Sequence, residues 1–118
     1  MALFLLLIYE DESQAPPQGD PRWQALWDAY VALDEAARAA GVLVDSQPRL
    51  PSARAETVVV RDGETIVAVG SFTAGAVHLT GYYLIRCPSV VEAREWASRI
   101  PAASTGGTVE IRQVLEPE

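Results

Sequence analysis

The sequence predicts an α+β domain of the ferredoxin-like kind, a split βαβ antiparallel sheet with an inserted hairpin and two helices on one face. Two observations predict it. Strand-like apolar runs and amphipathic helical stripes alternate in the order β-α-β, hairpin, β-α-β. Each half also repeats the same plan of apolar strand, amphipathic helix and a strand resuming after glycine, with no sequence identity between the halves.

The elements follow in chain order. Leu3 to Tyr9 is rich in strand formers and too short for a core helix, so it is the first strand. Glu10 to Gly19 carries Pro16, Pro17 and Gly19 and reads as a loop, with Glu10, Asp11 and Glu12 as a solvated turn. Asp20 caps the first helix and Pro21 occupies its first position, where a missing N–H costs nothing. Trp23, Leu26, Trp27, Tyr30, Leu33 and Ala37 recur every three or four residues as one apolar stripe, which places both tryptophans in the core. Gly41 ends that helix, and Val42 to Val44 resumes as strand.

Pro48, Pro51 and Ser52 mark an irregular link. ETVVVRDGETIVAVGSF then reads as a hairpin about Asp62-Gly63, Thr73 to Ala76 as a loop, and Val77 to Cys87 as a long strand. Ser89 and Glu92 form an S-x-x-E capping box for a second helix, whose inward stripe is Ala93, Trp96, Ala97 and Ile100. Pro101 ends it, and Gly106-Gly107 leads into a last strand, Thr108 to Leu115. LFLLLIY, TVVV and YYLI are apolar at nearly every position, so both sheet faces are expected to be covered. Helices cover one, and a two-fold homodimer packing sheet on sheet is the economical cover for the other.

Length and charge bound the function. At 118 residues the chain, 1–118, is expected to be a single domain. Nine basic residues, all arginine, against sixteen acidic give a net charge of −7, which disfavours a phosphate backbone as partner, so no nucleic acid is expected. One cysteine excludes an internal disulfide, and with one histidine it leaves no zinc constellation, so no metal is expected. MALFLLLI has no basic start, no cleavage site and too few apolar residues to span a bilayer; a cytoplasmic protein without a membrane association is the expectation. No GxGxxG or Walker-type run is present, and no cofactor is implied.

LLIYEDE, AAGVLV, VVVRDGETIV, GYYLI, EAREWASRIP and GGTVEIRQV occur in an order and spacing that resembles the YCII-related superfamily, in the branch named after a DGPF motif. The resemblance covers nearly the whole chain. It implies a bacterial homodimer with an α+β-barrel core, of unassigned activity, in a branch often encoded beside extracytoplasmic-function sigma factors. Where the branch carries Asp-Gly-Pro-Phe, this chain has Val69-Gly70-Ser71-Phe72. Some relatives are thought to use a His–Asp pair. The His position corresponds here to Tyr30 and the Asp has no clear match, so the dyad does not carry over.

The candidate catalytic residues are therefore His78, Tyr30 and Ser71. His78 is the one imidazole, the side-chain type suited to moving protons near neutrality, or else a structural histidine. Tyr30 is either a core tyrosine or a pocket donor. Ser71 has no nucleophile elbow around it and would position a polar group. Asp45, Arg49, Tyr82 and Arg86 are the candidate substrate-binding residues; Arg86 could clamp a carboxylate or pair with a surface acid. Cys87 reads as a buried filler. Together these point to a pocket for a small-molecule ligand and a cofactor-free proton transfer of lyase, isomerase or cyclase type. The rivals are a non-catalytic ligand- or partner-binding regulatory dimer, and a degenerate structural dimer whose pocket is filled by Val69, Ala76 and Val77.

Overall fold

A computed structural model describes residues 1–117. Six strands and two helices of more than one turn follow one another: β1 (Ala2–Asp11), α1 (Pro21–Ala39), β2 (Leu43–Gln47), β3 (Glu56–Arg61), β4 (Glu64–Val69), β5 (Val77–Cys87), α2 (Val90–Ser98) and β6 (Thr108–Gln113). Four strands form one antiparallel sheet in the order β2-β5-β1-β6. Because β5 lies between β1 and β2, the α1 crossover skips a strand, the split βαβ arrangement expected from the sequence.

Period-two alternation decides which face is filled. Phe4, Leu6 and Ile8 of β1 and Tyr83, Ile85 and Cys87 of β5 are buried against Tyr30, Leu33 and Ala37 of α1 and Ala93 and Ala97 of α2. The intervening residues Leu3, Leu5, Leu7, Tyr82 and Leu84 point to the opposite face and are half-buried. Both helices start where their caps predict. The Asp20 carboxylate accepts from Arg22 N–H at 2.8 Å, and Ser89 Oγ accepts from Glu92 N–H at 3.4 Å. The Arg22 side chain and backbone N–H hold the Asp20 carboxyl down at about 2.

The hairpin departs from the expectation for TVVV. β3 and β4 pair with each other in a separate two-stranded sheet and do not join the main one. Asp62 (φ 51°) and Gly63 (φ 78°) make the two-residue turn that Asp-Gly signals. Beyond its root, the hairpin leaves Val58, Val60, Val67 and Val69 exposed on one face and Val59 and Ile66 on the other. It extends the molecule to 47 × 47 × 19 Å, with a radius of gyration of 16.1 Å. A compact domain of this length would have a radius near ~13–14 Å.

Candidate functional site

Two loops and α1 enclose a cleft of about 250 Å³ at the end of the main sheet. Its apolar walls are Trp23, Leu26 and Trp27 of α1 with Pro16, Pro48, Leu50 and Pro51 of the loops. Its polar groups are Glu10, Glu12, Tyr30, Arg49 and Thr80.

A register shift makes the inner wall. Between Ile8 and Tyr9 the β1–β5 pairing slips by one residue, so that Ile8 faces Gly81 and Tyr9 faces Leu79. Thr80 is the extra residue, and its hydroxyl donates to Glu10 Oε1 at 2.7 Å. Gly81 lets the loop after β2 come close, since a Cβ there would stand 2.7 Å from the Pro48 carbonyl carbon. Leu50 N–H donates to the Thr80 carbonyl at 2.7 Å and fixes that loop against β5. Glu12 accepts from the backbone N–H and the hydroxyl of Ser52, tying the two loops together.

The indoles of Trp23 and Trp27, one helical turn apart, stack at 5.7 Å with an interplanar angle of 10°. The Arg49 guanidinium lies over both, 4.8 Å and 5.3 Å from the two ring centroids. This corrects the sequence reading of these two tryptophans as core. Trp27 is 43% exposed, and the pair is a platform at the rim of the cleft.

Tyr30 sits at the inner end of the cleft, 8% exposed. Burial first, and the neighbouring Glu10 charge second, push its phenol up to about 12, against a smaller opposing effect of the Ala102 backbone. Tyr83, on the core face of β5, is pushed further in the same direction, by burial first and then by the Asp34 carboxylate to which its hydroxyl donates at 2.7 Å. These two shifts fix a sign. Above the ordinary tyrosine value of 10 the unfolded chain releases protons that the native state keeps. Stability is therefore expected to fall as pH rises from 10 through about 12. The chain has no lysine to titrate in this window, and buried Cys87, whose thiol burial also pushes up, acts in the same direction as Tyr30 and Tyr83. Denaturant midpoints across the window, followed with tyrosinate absorbance, check this; a flat midpoint would contradict it.

The structure separates the residues singled out in the sequence into three groups. Tyr30 and Arg49 line the cleft. Ser71 and His78 lie at the root of the hairpin, joined through Thr73: Ser71 Oγ is 3.2 Å from Thr73 Oγ1, which is 3.3 Å from His78 Nδ1. His78 is the cross-strand partner of Glu10 but does not line the cleft. Asp45, Tyr82 and Arg86 belong to the helix-free side of the sheet. There Tyr82 donates to Asp45 at 2.7 Å and Arg86 pairs with Glu116 at 3.0 Å, so the surface-acid alternative for Arg86 is the one realised. Val69 and Val77 are 87% and 56% exposed in the single chain and do not line the cleft.

Glu10, Glu12 and Thr80 were not among the candidates. The acidic run reads as a solvated turn in sequence, yet β1 extends through Asp11 and both glutamates face the cleft. The glycine inside the strand HLTGYYLI is the signal that marks the irregularity beside them.

Among the described residues, no group of three His, Cys, Asp or Glu is placed to hold a metal ion, and no helix is long and apolar enough to cross a membrane. A family model described as YCII-related domain matches residues 2–118. An uncharacterized protein of Rhizobium meliloti (strain 1021) is 31% identical over 111 residues, 93% of this chain and 90% of the relative.

Proposed function

The chain belongs to the YCII-related domain family, and from that premise we propose that its cleft binds a small molecule and moves a proton on it without a cofactor. The step is of isomerase, lyase or cyclase type. One observation carries the reading: a carboxylate held by Thr80 stands beside a buried phenol at the inner end of an apolar cleft.

Glu10 has lone pairs free to accept a proton from an acidified C–H of the ligand. Tyr30 keeps its proton at neutral pH because its phenol is pushed up to about 12, and it can donate that proton to the ligand's carbonyl oxygen. One C–H bond breaks and one O–H bond forms, and the ligand leaves as its enol or rearranged isomer. The proton on Glu10 then returns to Tyr30 through product or water. His78, the cross-strand partner of Glu10, has a secondary role in exchanging protons with solvent. Ser71 belongs to that outer group and not to the transfer itself.

The test is proton exchange in heavy water. The protein is incubated with a mixture of small carbonyl compounds and the products are read by mass spectrometry. Deuterium is expected to enter one compound class, and Glu10→Gln should slow that incorporation at least ~100-fold. Tyr30→Phe should slow it about tenfold or more, and His78→Ala less than either. Incorporation unchanged in Glu10→Gln and Tyr30→Phe would sink the assignment. A compound that raises the melting temperature without exchanging would instead favour a ligand-binding regulatory role.

We further propose that the working unit is a homodimer. Two exposed features support it: the half-buried leucines on the helix-free side of the sheet, and the apolar hairpin with both of its strand edges unpaired. A lone two-stranded hairpin is marginal in water. The exposed apolar side chains of the hairpin and its root, Phe72, Val77 and Leu79 included, offer apolar surface of the kind that a stable interface covers. A second copy brings the same surface, and a two-fold axis sets identical strands antiparallel, the arrangement an unpaired edge can use.

A further inference from the structure

Among the described residues, Arg49 is one of six arginines, of nine in the chain, with no carboxylate within salt-bridge distance, and of those six it alone lines the cleft. Arg22, Arg86 and Arg112 each pair with a carboxylate at 2.8–3.0 Å. Among the described residues, no acidic side chain lies within salt-bridge distance of Arg49, although Glu10 and Glu12 line the same cleft. Both of those carboxylates already accept bonds from the protein, Glu10 from Thr80 and Glu12 from Ser52. Arg49 is held instead by two indole faces, which fix its position without neutralising it. Arg99 over Trp96 shows the same contact between residues three apart on one chain segment. Arg49, by contrast, reaches α1 from a different segment, and the loop that carries it is fastened by the bond from Leu50 N–H to Thr80.

We propose that this rim arginine is a carboxylate anchor, and that the ligand of the cleft is a small organic acid with an apolar, ring-sized body. A pinned guanidinium presents a planar fork that matches a carboxylate bidentately, and its ordering is complete before the ligand arrives. The walls beyond it are apolar (Leu26, Trp27, Pro48), and about 250 Å³ is room for roughly eight waters' worth of ligand at ~30 Å³ each. The net charge of −7 repels anions at a distance. An acid binding here therefore depends on this one local cation. The inference rests on the cleft being the ligand site and adds to that reading the class of ligand.

Benzoate, benzamide and benzylamine test it on the full chain. Trp23 and Trp27 report binding by fluorescence, and melting curves confirm that each variant folds. Benzoate is expected to quench saturably and to bind at least tenfold more tightly than neutral benzamide or cationic benzylamine. Arg49→Gln should remove that preference, and Arg49→Lys should restore part of it, because an ammonium keeps the charge but not the fork. Benzamide or benzylamine binding as tightly as benzoate, or benzoate binding Arg49→Gln as it binds the natural chain, overturns the anchor. If the neutral amide binds and Tyr30→Phe alters that binding, the cleft reading survives and the acid class falls. If none of the three probes quenches, both fall.

Discussion

Replacing Gly81 with alanine is expected to destabilise the fold by about 3 kcal/mol, the upper end of what one added carbon costs in a filled site. The added Cβ would stand 2.7 Å from the Pro48 carbonyl carbon, 2.8 Å from the Gln47 carbonyl oxygen and 2.8 Å from Pro48 Cα. All three are backbone atoms, so no side-chain rotation relieves the overlap. The relief available is for the end of β2 and the following loop to move off β5. That motion breaks the bond from Leu50 N–H to the Thr80 carbonyl and lifts Arg49 from its indoles. Gly81→Ala should therefore lower the melting temperature by roughly ten degrees and weaken benzoate binding in the fraction that stays folded. A melting curve superimposable on that of the natural chain would show that the loop does not rest on β5 as described.

The second large effect concerns association. Val67→Glu places a carboxylate on the hairpin face where Val67 is 55% exposed and lies opposite Val58, 59% exposed. Within one chain this is a surface change, worth no more than ~0.5 kcal/mol. In a dimer that covers the hairpin it buries an unpaired charge, which costs several kcal/mol. At 1.4 kcal/mol per factor of ten, the dissociation constant should rise at least ~100-fold. Light scattering should then give the mass of two chains for the natural protein and of one for the variant, with unchanged circular dichroism. A natural chain that is monomeric, or a variant that stays dimeric, would remove the hairpin from the interface.

The helices and their caps were legible because their signals are local. Asp20-Pro21 and Ser89-x-x-Glu92 act within one turn, and the stripe from Tyr30 to Ala37 faces the sheet as its spacing requires. The bounds of β5 coincide with Val77 to Cys87, and the Asp-Gly turn sits where the dipeptide places it. The hairpin's separation from the main sheet was not legible, because an apolar strand carries no mark of which neighbour covers it. The cleft was half legible. Arg49 was named from its type and position and Tyr30 from the resemblance, whereas Glu10 and Thr80 meet through one slipped residue in the β1–β5 register, and the tryptophan platform depends on an arginine brought to α1 from a distant loop. That slip changes which side chains meet across elements far apart in sequence, and no window of neighbouring residues contains it. His78 drew attention as the one imidazole, but its partner through Thr73 is Ser71, at the root of the hairpin.

The bond between Glu12 and Ser52 joins loops 40 residues apart in the chain. Its consequence is kinetic. Two unlinked loops would act as lids, and a ligand would wait for them to open or trigger them to close. Here one carboxylate latches the mouth in a single shape before anything arrives, and Arg49 is already seated on its indoles. For the proposed ligand, capture is then expected to be a one-step encounter whose rate scales linearly with ligand concentration, with no plateau from a closing motion. Differences among ligands will be written in how long each stays.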